Sequence, residues 1–477
     1  MTGKYLYSIC ILLSIILNTE SQKVIISGIA PDYAEIILYP YIYSDEITYL
    51  EEELDPIYID DSGKFTLEID IIDTKQLFIP LGANKGFLFI EPYTEYEIML
   101  PPRQDKELRD KLNPYYIEPE IHIGILNAWT KGDINEENEL NFLINSFDNT
   151  YESIFNQINL NTYFSNNLNI DSICDQLQQI FIDAENQYFN AYKKYKIGVL
   201  KHANSVKPIP NKFIKVYFEN KPILYNNPAY MELFHLVFDK FIINYLENKK
   251  TRQKLEEALV EKSYDKLVNA FTIEDSKLNE SISEFVLLKE IHDGLYSNEF
   301  PKDLLLQIID SLYFNSIIPE HNYIAQNIRE KTTSLLPGYS PPEFSLTGVN
   351  NDLFGLEYFK GKYVYLNFVS TQSLACVKEF NILNTLQEKY NEIMNVVSIS
   401  VDESFENTIF YIEKKELKWT FLHYDNNPRI LKKYNVKAYP TYYLIDPEGK
   451  ILLSPAPSPE ENFEIKFYEI LKSKGLF

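Results

Sequence analysis

The chain has 477 residues and a formal net charge of −24, with 45% hydrophobic and 24% charged side chains. That length exceeds what one hydrophobic core organises, so about two to four domains are expected, and the 37 Tyr and 30 Phe exclude global disorder. The acidic excess repels phosphate backbones and anionic headgroups, and no basic block offsets it, so nucleic-acid and membrane-surface partners are disfavoured.

The first residues carry Lys4, an apolar run from Ile9 through Leu17, and polar Asn18 to Gln22, the layout of a secretory signal peptide over residues 1–21. The run is too short for an ordinary transmembrane helix, and no later segment is long and uncharged enough to span a bilayer. Cys10 lacks the small preceding residue expected beside a lipidated cysteine, its neighbours being Tyr7-Ser8-Ile9. An exported, periplasmic protein with no membrane insertion after cleavage is therefore expected. Cys174 and Cys376 would then be the remaining cysteines, too few to staple a chain of this size. They are expected in separate domains and unbonded to each other.

From residue 22 to 103, short β-branched and aromatic runs such as Val24-Ile25-Ile26 and Phe65-Thr66-Leu67-Glu68-Ile69 alternate with turn signals such as Asp60-Asp61-Ser62-Gly63. They predict an N-terminal antiparallel β-sandwich. Residues 104 to 335 show helical spacing, as in Ala229 to Asn248 and Ser281 to His292, with Pro228 and Pro301 in first-turn positions. An amphipathic helical region is expected there. The Asn-rich stretches, including Asn166-Asn167-Leu168-Asn169, carry no repeat and are read as compositional bias. Leu336-Pro337-Gly338-Tyr339-Ser340-Pro341-Pro342 reads as a linker, because each proline blocks helix continuation.

Residues 336 to 477 alternate strands (Tyr363 to Phe368, Asn395 to Val401, Thr441 to Ile445, Ile451 to Ser454) with helices (Cys376 to Tyr390, Phe405 to Glu416, Glu460 to Lys472), the signature of an α/β fold. Pro342-Glu343-Phe344-Ser345-Leu346, Leu356 to Phe359 with Gly361-Lys362, Tyr365-Leu366-Asn367-Phe368 and Tyr439-Pro440-Thr441-Tyr442-Tyr443-Leu444-Ile445-Asp446 together resemble the TlpA-type thioredoxin-like family of thiol-disulfide oxidoreductases. The resemblance covers the C-terminal third and implies a thioredoxin-like fold.

In that family the first strand runs into Trp-Ala-x-Trp-Cys-x-x-Cys, whereas this chain has Val369-Ser370-Thr371-Gln372-Ser373-Leu374-Ala375-Cys376. On this alignment Ser373 stands where the attacking cysteine would be, and Cys376 is the second cysteine alone. Disulfide reduction needs a thiolate to attack and a second thiol to resolve the mixed disulfide, and a serine hydroxyl does neither. The resemblance makes Pro440 the family's cis-proline, with Tyr439 and Thr441 beside it in a groove for extended peptides. Peroxiredoxins, on the same fold, also place their cysteine in Ser-x-x-Cys, but that pattern expects a proline at Val369 and an arginine near Pro440, and both are missing.

Six His residues (His122, His202, His235, His292, His321, His423) form no pair at ligand spacing, so no metal site is expected, and no cofactor motif is present. Two functions remain in view. One is a non-catalytic peptide-binding or scaffold module, with extended peptides or thiol proteins as partners. The other is a monothiol disulfide oxidoreductase or peroxiredoxin-like peroxidase using Cys376 at a helix start.

Overall fold

The computed structural model describes residues 22–241 apart from 112, 114–115, 131–132, 135–137, 164–168 and 206–209, isolated positions between 253 and 266, and residues 278–475 apart from 298–300. The expected signal peptide and Cys10 lie outside the described residues.

Twelve strands open the described chain: β1 (Gln22–Ile29), β2 (Ile37–Leu38), β3 (Tyr41–Tyr43), β4 (Glu51–Glu53), β5 (Ile57–Tyr58), β6 (Lys64–Ile71), β7 (Lys75–Leu81), β8 (Asn84–Ile90), β9 (Thr94–Met99), β10 (Glu120–His122), β11 (Gly124–Thr130) and β12 (Asp133–Ile134). One five-stranded sheet has the order β12-β11-β9-β1-β6 and a second the order β10-β8-β7-β3-β4. β6 shows the cause most plainly, since its residues alternate strictly between exposed and buried along the strand. Val24, Ile26, Leu67 and Ile98 of the first sheet share a core with Leu77, Leu88 and Ile90 of the second. Gly63, at φ +80°, makes the tight turn into β6 that a side chain would strain.

Two sequence expectations are corrected here. The sheets are mixed rather than antiparallel, because β1 runs parallel to β9 and β10 parallel to β8. Between β6 and β9 the chain crosses to the second sheet for β7 and β8, and it returns in the direction of β1. The helical character expected from residue 104 is also displaced, because β10, β11 and β12 complete these sheets, and Ile123 between them is buried in the shared core.

The helices α1 (Leu140–Tyr163), α2 (Ile170–Gln179), α3 (Gln187–Ala203), α4 (Pro228–Val237), α5 (Glu280–Leu295), α6 (Lys302–Asn315) and α7 (Pro319–Thr333) follow. Asparagines start four of them: the side chains of Asn169, Asn186, Asn227 and Asn279 accept the backbone N–H of Ser172, Phe189, Tyr230 and Ile282. Part of the asparagine enrichment thus has a capping use that composition alone did not suggest. The aromatic helical core reaches the β region through Ile47 and Phe89, and Asn141 pairs its side chain with both the N–H and the C=O of Phe89 at 2.7 and 2.8 Å.

The C-terminal region is a seven-stranded sheet of β13 (Leu346–Gly348), β14 (Leu353–Phe354), β15 (Tyr363–Val369), β16 (Met394–Ser400), β17 (Thr420–His423), β18 (Thr441–Ile445) and β19 (Ile451–Leu453), in the order β14-β13-β17-β16-β15-β18-β19. β15 is buried along its whole length, and separate apolar cores cover the two faces of the sheet. Helices α8 (Leu374–Tyr390), α9 (Phe405–Lys415), α10 (Arg429–Lys433) and α11 (Phe463–Ser473) complete it. The expected linker is not a free tether: Gly338 donates to the Ile451 carbonyl and Ile451 donates back to Tyr339. No helix among the described residues is long and apolar enough to cross a membrane.

Candidate functional site

The loop between the carboxyl end of β15 and the start of α8 is where an open α/β sheet ordinarily places its chemistry. Its shape is set by Asp402, just beyond β16 and 3% exposed. The Asp402 carboxylate accepts from Ser370 Oγ at 2.6 Å, Thr371 Oγ1 at 2.6 Å, the Thr371 backbone N–H at 3.1 Å and Thr408 Oγ1 at 2.9 Å. These charge-assisted bonds fix both residues that precede the Gln372-Ser373 tip. His423 supports the same corner: its Nε2 lies 2.8 Å from the Asp402 carbonyl, which can only accept, so Nε2 carries a proton. Burial alone would lower the His423 pKa, but Asp425 beside Nδ1 and the Asp402 carbonyl outweigh it and the net shift is upward.

Ser373 is the N-cap of α8. Its Oγ accepts a long hydrogen bond from Cys376 N at 3.5 Å and donates to the Tyr439 carbonyl at 3.4 Å. Cys376, one turn in, is fully buried. Burial pushes its thiol pKa up, while hydrogen bonds from Ser373 and the Ser370 backbone oppose this incompletely. The charged groups that act on the thiol among the described residues are Glu379 and Asp402, both of which raise its pKa further.

Across from Ser373 the Tyr439–Pro440 peptide bond is cis. Tyr439 and Pro440 are half-buried, and Thr441 opens β18 opposite Phe368 with its Oγ1 bonded to the Ala438 carbonyl at 2.6 Å. Burial, aided by the neighbouring Cys376 thiol, pushes the Tyr439 hydroxyl up to about 12. Ser373, Cys376, Tyr439, Pro440 and Thr441 therefore lie together at one corner. Leu374, 78% exposed, gives this corner an apolar rim.

Sequence reasoning missed Asp402 and Glu379. Glu379 is 5% exposed, lies three residues after Cys376 on α8, and accepts the Tyr442 hydroxyl at 2.6 Å. A carboxylate at i+3 from the cysteine, on the inward face of an amphipathic helix, is the signal that was available. Cys174 is buried in the helical core, and both cysteines are free thiols.

Residues 337–454 match the model of the AhpC/TSA family. The thiol-disulfide oxidoreductase ResA of Bacillus cereus is 30% identical over 150 residues, which cover 31% of this chain and 85% of that protein. The thioredoxin-like protein YneN of Bacillus subtilis is 30% identical over 129 residues, 26% of this chain and 75% of that protein. Among solved structures, a putative thiol:disulfide interchange protein DsbE from Chlorobium tepidum is 28% identical over 29% of this chain and 98% of its own, with a TM-score of 0.27. The C-terminal region is thus a thioredoxin-like domain. Through it, the chain belongs to the thioredoxin-like thiol-disulfide oxidoreductase family of ResA and TlpA type.

Proposed function

We propose that this protein is an exported member of its family in which the dithiol site has lost its attacking cysteine, leaving a non-catalytic module that binds extended peptides or thiol proteins or serves as a scaffold. The observation that carries the reading is the pairing of Ser373 at the head of α8 with a fully buried Cys376 whose thiol pKa is raised. Attack on a disulfide requires an accessible thiolate, whereas Cys376 is fully buried and burial, Glu379 and Asp402 all raise its thiol pKa. The groove proposed for a peptide is the corner of Tyr439, Pro440 and Thr441, rimmed by Leu374. Export rests on the composition of residues 1–21.

A monothiol enzyme is the second reading. It is favoured by one feature, the Ser373 and Ser370 hydrogen bonds that pull the Cys376 thiol pKa down against burial.

Restoring the missing thiol tests the alignment behind both. Ser373→Cys places a second sulfur one helical turn from Cys376, at the half-buried N-terminus of α8 where the helix dipole favours a thiolate. The variant is expected to form a disulfide on titration with oxidised glutathione, counted as loss of two free thiols per chain. If both thiols stay reduced while circular dichroism shows an intact fold, position 373 is not the attacking position and the reading falls.

A further inference from the structure

Among the described residues, the β region and the thioredoxin-like domain meet without a shared apolar core. Ile47 and Phe89 carry the β region into the helical core, whereas the two cores of the C-terminal sheet contain no residue before Leu335. The meeting is made instead by α10 against β4 and the two residues before β3. Lys432 Nζ lies 2.6 Å from Glu51 and 5.4 Å from the centre of the Tyr41 ring, and Lys433 Nζ lies 2.9 Å from Glu53. Arg429, 6% exposed, donates to the Pro40 carbonyl, holds its guanidinium 5.7 Å from the centre of the Tyr39 ring and stands 3.4 Å from Glu53. Burial alone would raise the Glu53 pKa, but Lys433 and Arg429 outweigh it and the net shift is downward.

Such a contact is reversible for physical reasons. Lys432 and Lys433 are half-exposed, so their pairs with Glu51 and Glu53 are screened by water and salt. Arg429 is buried, yet its Nε has no hydrogen-bond partner among the described residues, so part of its desolvation cost is not recovered. An interface between domains that is polar rather than apolar leaves relative motion as the ordinary condition.

The dock reaches the Ser373 corner through a turn of two consecutive left-handed residues, Asp425 at φ 53° and Asn426 at φ 55°. This turn is held from both sides. From the β region, Tyr39 donates its hydroxyl to the Asp425 carbonyl at 3.4 Å. From the C-terminal sheet, Thr347 donates to the Asp425 carboxylate at 3.2 Å, and His423 Nδ1 lies 3.3 Å from it. Asn427, whose N–H closes the turn onto the Tyr424 carbonyl, accepts the Arg429 N–H at 3.1 Å. His423 then donates to the Asp402 carbonyl, and the Asp402 carboxylate fixes Ser370 and Thr371. One run of contacts therefore connects Tyr39 and Arg429 to the loop above Cys376.

We propose that the β region is a clamp on the Ser373 corner. Docked, it holds the turn at Asp425 and, through His423 and Asp402, keeps the loop from Ser370 to Ser373 closed over Cys376. Undocked, it lets that loop open. The inference adds regulation to the site of the proposed function and rests on that reading for what the corner binds.

The test is hydrogen exchange of the full chain, read by mass spectrometry over residues 369–377 with β16 as the internal reference. In Glu51→Lys, exchange over 369–377 is expected to quicken about fivefold or more while β16 stays within about twofold, because the opening is local rather than global. Sodium chloride at about 1 M, where the Debye length is about 3 Å, is expected to act on the wild type in the same direction. Lys432→Glu combined with Glu51→Lys restores the pair with its charges exchanged and is expected to return exchange to the wild-type rate. Glu68→Lys, at an exposed carboxylate of β6 that pairs with Lys23 outside the dock, is expected to leave the corner unchanged. Should Glu51→Lys fail to fold by circular dichroism, the salt response and Lys432→Glu alone carry the test. Exchange reads the loop itself, so its outcome is separate from whether the corner binds peptides or lacks redox chemistry. An unchanged rate over 369–377, an equal rise in β16, or a charge exchange that restores nothing would overturn the proposal.

Discussion

The Ser373 hydroxyl lies 3.4 Å from the Tyr439 carbonyl and so ties the head of α8 to the residue before Pro440. The same oxygen caps the helix by accepting from Cys376 N. A residue that stands where a nucleophile is expected is therefore engaged in structure. Ser373→Ala removes both contacts and is expected to cost about 1 kcal/mol, the usual penalty for losing an N-cap. Urea unfolding should show a lower midpoint with an unchanged slope; an unchanged midpoint would mean that the serine is structurally idle.

Asp402 is expected to be the most sensitive single position at this corner. Asp402→Ala leaves the hydroxyls of Ser370, Thr371 and Thr408 and one backbone N–H without their shared acceptor. A loss of about 3 kcal/mol or more is expected, because these donors stay buried and several bonds to a charged acceptor vanish together. Asp402→Asn, which keeps one acceptor oxygen, should lose less. Equal losses would show that the hydrogen-bond network does not carry the effect.

His423 gives the corner a pH signature. Its folded pKa is raised above the unfolded value of about 6.5, so its contribution is fully present below that value and is lost as pH rises through the folded pKa. The stability gap between wild type and His423→Gln should accordingly be larger at pH 5.5 than at pH 8.5, read from urea midpoints at both. A gap that widens with pH would contradict the assigned ion pair with Asp425.

How far the sequence foretold this molecule depends on how local each signal is. β18, Thr441–Ile445, lies where its apolar run placed it, and Ser373, Cys376 and Pro440 come together because the motifs that carry them are tied to adjacent strands. The strands between Glu120 and Ile134 were not foreseen, since they are short and owe their existence to pairing with β8 and β9 far back in the chain. Asp402 and Glu379 escaped notice for a similar reason: their partners, Thr371 and Tyr442, are 31 and 63 positions away. The dock of α10 on β4 joins Lys432 to Glu51, 381 positions away, a separation that no local pattern encodes.

Cys376 should react slowly with iodoacetamide in the native protein, because the thiol is both covered and shifted away from thiolate. Mass spectrometry of a labelling time course should show both cysteines modified only after denaturant is added. Rapid native labelling of Cys376 at neutral pH would favour the monothiol reading.

Turnover of an insulin-type disulfide substrate with dithiothreitol tests the central claim most directly. With Ser373 capping α8 and Cys376 buried beneath it, the purified protein is expected to leave the reaction at its uncatalysed rate. Catalysed reduction that disappears in Cys376→Ser would contradict the account and establish the site as an active oxidoreductase.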